Sequence, residues 1–309
     1  MLDRKRTAIL LLATLVLFAV GCGGGGGKTD LSTRVIDIVA TTGMVGDAVQ
    51  QVGGERVKVN TLMGPGVDPH YYKASASDVT SMANADAVFY NGLHLEGRMV
   101  ELFEKIKRDG KPTCAIAEAV PEEKLITTDN AHDPHIWFDV ELWKLAVEET
   151  RRALTDLDPK HGDRYQTNAD AFQKELDALH AFIRERSAEV AEERRVLITA
   201  HDAFSYFGRQ YGYELKSLQG ISTVSEASTA DVQNLASFIA ERKINAVFVE
   251  SSVPVRNVQA VQAAAKSKGH PVRIGGELFS DALGAPDTDE GTYLGMVRHN
   301  VNTIVDALQ

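Results

Sequence analysis

The chain has 309 residues, 44% of them hydrophobic, with 33 lysines and arginines against 43 acids and a formal net charge of −10. That acidic balance, with no basic face, excludes a nucleic-acid binder. Two cysteines, Cys22 and Cys114, supply no disulfide framework, and a chain of this length has core enough to fold without one.

The N-terminus carries Arg4, Lys5 and Arg6 followed by an apolar run from Thr7 to Val20, which reads as a secretory signal over residues 1–21. The run is too short for the roughly 20 residues of a membrane-spanning helix. Cys22, just after Ala19-Val20-Gly21, resembles a bacterial lipobox, although Ala19 stands where leucine is usual. Lipidation of Cys22 is therefore expected, with residues 22–34, opening on Gly23 to Gly27, as a flexible tether. Removing residues 1–21 takes away one acid and three bases, so the mature formal charge is −12.

Beyond the tether, short β-branched runs alternate with helix-like stretches, the signature of an α/β fold. The expected strands are Val35 to Thr41, Val57 to Met63, Ala87 to Asn91 and Thr113 to Ala117, then Arg195 to Ala200, Glu214 to Leu218, Ala246 to Glu250 and Val272 to Gly275. Between the two groups, Tyr165, Ala169, Phe172, Leu176, Leu179, Phe182, Ile183 and Val190 recur at helical intervals. They predict one long helix over about His161 to Glu193, about 50 Å in length. The expected architecture is two doubly wound lobes, residues 35–158 and 195–309, each with a mostly parallel four-stranded sheet and joined by the rigid segment 159–194.

In such sheets ligands bind beyond the carboxyl ends of the strands, where the histidines of interest fall. Asp-Pro-His occurs twice, at Asp68-Pro69-His70 and Asp133-Pro134-His135, and Thr199-Ala200-His201-Asp202 follows a strand directly. Proline restrains its own φ and the residue before it, and imidazole suits borderline divalent ions. His70, His135 and His201, with Asp281 as the fourth candidate, predict a metal site in the cleft between the lobes. Asp281 is the least specific member, because Phe279 to Gly284 also reads as a turn and helix cap. Asp202 and Glu250 are candidates to accept the free ring N–H of a ligating histidine. His94 and His132 carry weaker readings, as an outer group and as a relay into the site, and Trp137 reads as core beneath it.

The stretches GPGVDPHYYKASAS (64–77), NGLHLE (91–96), DPHIWFD (133–139), TAHDAFSY (199–206), FVESSV (248–253) and GELFSDALG (276–284) resemble the zinc- and manganese-binding solute-binding proteins of bacterial ABC transporters. The resemblance covers essentially the whole mature chain. It implies two α/β lobes joined by a long helix, Zn²⁺ or Mn²⁺ held by His70, His135, His201 and Asp281, and no catalysis. It also implies delivery to a permease and its ATPase from the periplasm or the outer face of the cytoplasmic membrane, by a monomer with a lipid anchor at Cys22. Members taking manganese or iron usually have glutamate at the position of His201, and a third nitrogen favours zinc. Against zinc, the segment Pro121 to His132 lacks the His-rich loop of many zinc members. The rival from another class is a secreted zinc hydrolase with Asp202 or Glu250 as base, which needs an open coordination position.

Overall fold

The computed structural model describes residues 30–128 and 131–309; the secretory leader, Cys22 and the glycine run lie outside the described residues. All eight predicted strands form. In the first lobe β1 (Ile36–Ala40), β2 (Val57–Thr61), β3 (Ala87–Tyr90) and β4 (Thr113–Ala115) make one parallel sheet in the order β2-β1-β3-β4. Central β1 pairs Ile38 with Val59 on one side and with Ala87 on the other. Only Asp37 of β1 is exposed, as expected of a parallel strand covered by helices on both faces. Those helices include α1 (Gly43–Gly53), α2 (Ala76–Asn84), α3 (Val100–Arg108) and α4 (Val140–Leu157). A hairpin of β5 (Thr127–Thr128) and β6 (Ala131–His132) occupies part of the segment read as a loop.

The long helix α5 spans Gly162–Ser187, 26 residues, or about 39 Å. It ends six residues before the expected Glu193. Past Ser187 the backbone turns, with the Val190 amide bonded to the Ser187 carbonyl at 3.2 Å. The turn buries Val190 in the core, whereas a continued helix would have run its charged residues into solvent.

The second lobe holds β7 (Val196–Thr199), α6 (Ser205–Tyr211), β8 (Glu214–Ser217), α7 (Thr229–Arg242), β9 (Ala246–Glu250), α8 (Arg256–Ser267), β10 (Arg273–Leu278) and α9 (Tyr293–Leu308). Its four strands do not form the single ladder expected. They form two parallel pairs, β7 with β8 and β9 with β10, and β7 packs against β9. Where a β7–β9 ladder would continue, the His201 amide is bonded by the Glu250 side chain, at 2.9 Å, in place of a strand carbonyl.

One hydrophobic cluster spans both lobes, beside a smaller one in each. It runs from Val45 and Val49 of α1 through Trp143 and Val147 of α4 and Leu176 and Ile183 of α5 to Met296, Val301 and Ile304 of α9. Each fully buried side chain of this size contributes about 1.5–3 kcal/mol, so this layer resists separation, and residues 31–309 form one compact unit. That unit begins inside the expected tether, since Leu31 is buried and its carbonyl accepts from Arg56 at 2.9 Å. Arg56 also pairs with Asp158 at 2.9 Å. Asp158 accepts as well from His161 at 2.9 Å and from the Tyr165 hydroxyl at 3.0 Å, knotting the turn from α4 to α5.

Candidate metal centre

Each Asp-Pro-His is closed by its own aspartate. The Asp68 carboxylate accepts the His70 amide at 2.9 Å, and the Asp133 carboxylate accepts the His135 amide at 2.9 Å. These are Asx turns, so aspartate and proline together aim the histidine beyond what proline does alone. Asp133 also takes the His135 ring at Nδ1, at 2.7 Å. His201 leaves the end of β7, its turn held by the Thr199 hydroxyl donating to the His201 carbonyl at 2.7 Å. Glu250, the last residue of β9, meets His201 Nδ1 at 2.5 Å.

The structure brings all four predicted residues together. His70, His135, His201 and Asp281 are buried, and their donor atoms lie within 4.8 Å of one another. His70 Nε2 and His135 Nε2 are 3.3 Å apart. Asp281 lies between the imidazoles, Oδ1 at 3.3 Å from His135 Nε2, Oδ2 at 3.3 Å from His201 Nε2 and 3.9 Å from His70 Nε2. Because Nδ1 of His135 and of His201 each faces a carboxylate, the Nε2 lone pairs point into the cluster. His201 Nε2 and both Asp281 oxygens are buried without a hydrogen-bond partner among the described residues. Buried polar atoms seldom stay unpaired, and either protons on the imidazoles or a metal cation between them would satisfy these. The donor set, three imidazoles and one carboxylate, suits a divalent ion at about 2.0–2.2 Å from each.

The electrostatics agree. Burial opposes a charge on His135, but Asp133 and Asp281 outweigh it and push its pKa up to about 9. For His201, Glu250 and Asp281 likewise overcome burial and raise it well above the ordinary histidine range. Burial would raise Asp281, yet His201 and His135 hold it well below the usual carboxylate range. His70 has no such support: burial dominates and lowers it to about 3. A cation here would displace protons chiefly from His135 and His201.

Of the two candidate outer carboxylates, Glu250 reaches the His201 ring, whereas Asp202 accepts from the Ser205 hydroxyl at 2.6 Å. His94 is exposed with a left-handed backbone and lies outside the cluster. His132 pairs with Thr127 at 3.0 Å in the hairpin, also outside it. The 91–96 stretch acts through other residues: Asn91 donates to the Pro134 carbonyl at 3.1 Å, directly before His135. Buried Glu96 in turn accepts the Asn91 amide at 2.8 Å and the Thr41 hydroxyl at 2.6 Å. Trp137 packs edge-on to His135, ring centres 5.2 Å apart, and donates from Nε1 to the Ser280 carbonyl at 3.0 Å. Sequence reasoning read it as core and missed this bond, which no local pattern reveals.

The chain is similar to proteins of known binding. It is 50% identical over 307 residues to the zinc-binding protein TroA of Treponema pallidum (strain Nichols), covering 99% of this chain and 98% of that one. It is 46% identical over 304 residues to the manganese-binding lipoprotein MntA of Bacillus subtilis (strain 168), covering 98% of each. The structure matches that of the periplasmic zinc-binding protein TroA from Treponema pallidum with a TM-score of 0.87 and 49% identity, over 89% of this chain and 99% of that one. Residues 38–307 match the sequence model of ZnuA, the periplasmic component A of the zinc-uptake complex, and the chain belongs to that family.

Proposed function

We propose that this protein captures a divalent metal ion outside the cytoplasmic membrane, zinc before manganese, and hands it to an ABC-type permease driven by an ATPase. His70, His135, His201 and Asp281 are the proposed ligands, held between lobes 35–158 and 195–309 about the connecting segment 159–194. The observation that carries this reading is the convergence of four buried donors, three of whose facing atoms have no hydrogen-bond partner among the described residues. Three nitrogens favour zinc over harder ions, and the 50% identical TroA is named for zinc. A manganese or dual cargo is the second reading, supported by the 46% identity to a manganese-binding lipoprotein and by the two free oxygens of Asp281.

Membership of the family makes the chain a transport component and not a hydrolase. Among the described residues no helix is long and apolar enough to cross a membrane. We extend the reading to a cleaved signal over residues 1–21, a lipid on Cys22, a tether shortened to end near Asp30, and a monomer; relatives named as lipoproteins support the anchor.

Metal analysis and competitive titration with zinc and manganese on the purified protein test the reading. One tightly bound ion per chain, zinc preferred, is expected. Preference for manganese would reverse the cargo, and no stoichiometric metal would remove the four-ligand site.

A further inference from the structure

Asp281 differs from the histidines beside it. The rings of His135 and His201 are each steered by a carboxylate, but neither Asp281 oxygen accepts a hydrogen bond among the described residues. Its direction is therefore set by the backbone that carries it, and that backbone is bracketed at two successive residues. Asn300, buried on α9, accepts the Phe279 amide at Oδ1, at 2.9 Å, and donates from Nδ2 to the Phe279 carbonyl at 2.7 Å. One carboxamide thus occupies both polar groups of one residue just beyond the end of β10, where no strand partner remains. Next, Trp137 of the opposite lobe donates to the Ser280 carbonyl at 3.0 Å, while the Ser280 hydroxyl meets that of Ser252 at 3.0 Å. Trp137 is itself fixed, because its carbonyl accepts the Tyr293 hydroxyl at 2.7 Å.

We propose that Asn300 and Trp137 are positioning residues for Asp281, holding Phe279 to Asp281 so that both carboxylate oxygens face the three imidazoles, and that they thereby set how well the site accepts manganese relative to zinc. This rests on the metal-capture reading above. Zinc is satisfied by four donors, three nitrogens and one oxygen. Manganese is harder and draws more on carboxylate oxygens. A loosened backbone lets the carboxylate swing and offer one oxygen, a loss that falls more on manganese. Groups hydrogen-bonded to a metal ligand typically contribute about 10–100-fold in affinity, and Asn300 and Trp137, acting through the backbone, are expected at the lower end of that range.

The test is zinc and manganese titration of the full chain and of the variants Asn300→Leu and Trp137→Phe. It is joined by visible absorption of the Co²⁺-loaded proteins, which reports the number of donors, and by melting of each protein without metal. The expected result is a loss of about tenfold or more for manganese, a smaller loss for zinc, and stronger Co²⁺ bands as the donor number falls from five to four. Equal losses for both ions with an unchanged Co²⁺ spectrum would reduce the two residues to packing and overturn the proposal. Should Asn300→Leu fail to fold, Trp137→Phe carries the same comparison. Absence of stoichiometric metal in the unaltered chain would instead overturn the capture reading and this inference with it.

Discussion

The Thr223 hydroxyl donates to the Asp68 carboxylate at 2.6 Å, linking the second lobe to the turn that carries His70. A second link, from the Tyr71 hydroxyl to the Val224 carbonyl at 3.1 Å, lies beside it. His70 is the one proposed ligand imidazole whose pKa is lowered chiefly by burial, and these links hold the turn that carries it instead of its ring. Replacing Thr223 with valine removes the donor at nearly constant volume. A hydrogen bond to a charged carboxylate is worth about 1.5–3 kcal/mol, so metal dissociation should quicken about tenfold or more. Chelator-chase kinetics would show it, and an unchanged release rate would mean that the link does not hold His70 in place.

Glu250 and Asp202 were equal candidates from sequence, and the structure separates them. Glu250 takes both the amide and the ring of His201, whereas Asp202 meets Ser205. Glu250→Gln should lower zinc affinity by about 10–100-fold, with Asp202→Asn within about twofold of the unaltered protein. Comparable losses in the two variants by isothermal titration would contradict this assignment.

The pH dependence follows from the directions of the shifts. His135 is raised to about 9, so its protonated form stabilises the metal-free fold fully below the unfolded value near 6.5 and that contribution disappears as pH rises through about 9. His70 is lowered to about 3, so its burial costs stability as pH falls below about 6.5. Metal must displace the protons on His135 and His201, so affinity should keep rising up to about pH 9, a window above the 6 to 7 expected from ordinary histidines. Calorimetric titration in two buffers of different ionisation heat at about pH 7.5 should report release of about one to two protons per ion. Release of none would exclude protonated imidazoles in the metal-free site.

Far from the metal, the Arg56–Asp158 pair should govern stability and not binding. Asp158 is buried, with Arg56, His161 and Tyr165 all directed at it. Removing one partner of a buried pair costs about 3–5 kcal/mol. Asp158→Ala should therefore melt well below the unaltered protein, while its folded fraction keeps its zinc affinity. Weakened binding at temperatures where the variant is fully folded would show that the knot reaches the site.

The eight strands and three of the four proposed ligands were legible because their signals are local: β-branched runs, a repeated Asp-Pro-His, a histidine directly after a strand. Asp281 was weak on its own, because nothing within a few residues distinguishes it among 43 acids; what sets it apart is the meeting of β10 with two lobes' worth of imidazoles. Asn300 and the Trp137 bond are invisible for the same reason, lying 21 and 143 residues from the backbone they hold. The early end of α5 was hidden because Ala188, Glu189, Ala191, Glu192 and Glu193 carry helical propensity past Ser187, while Val190 must turn into the core. The division of the second sheet into two pairs depends on how β7 and β9 pack, which no local run of residues encodes.

Glu250 also decides what a swap of ligand type would do. Resemblance to manganese-binding members suggests His201→Glu as the change that moves the site toward manganese. In this chain, however, Glu250 lies at 2.5 Å from the His201 ring, with both side chains fully buried. A carboxylate at 201 would face it at close range without water, and an uncompensated buried charge of that kind is strongly unfavourable. His201→Glu alone should therefore weaken zinc and manganese together. Adding Glu250→Gln replaces the repelling carboxylate with an amide that can donate to its neighbour, and the double variant should recover manganese binding while zinc stays depressed. If His201→Glu alone binds manganese as tightly as the double variant does, the second carboxylate has found room to move away, and Glu250 does not constrain the ligand at 201.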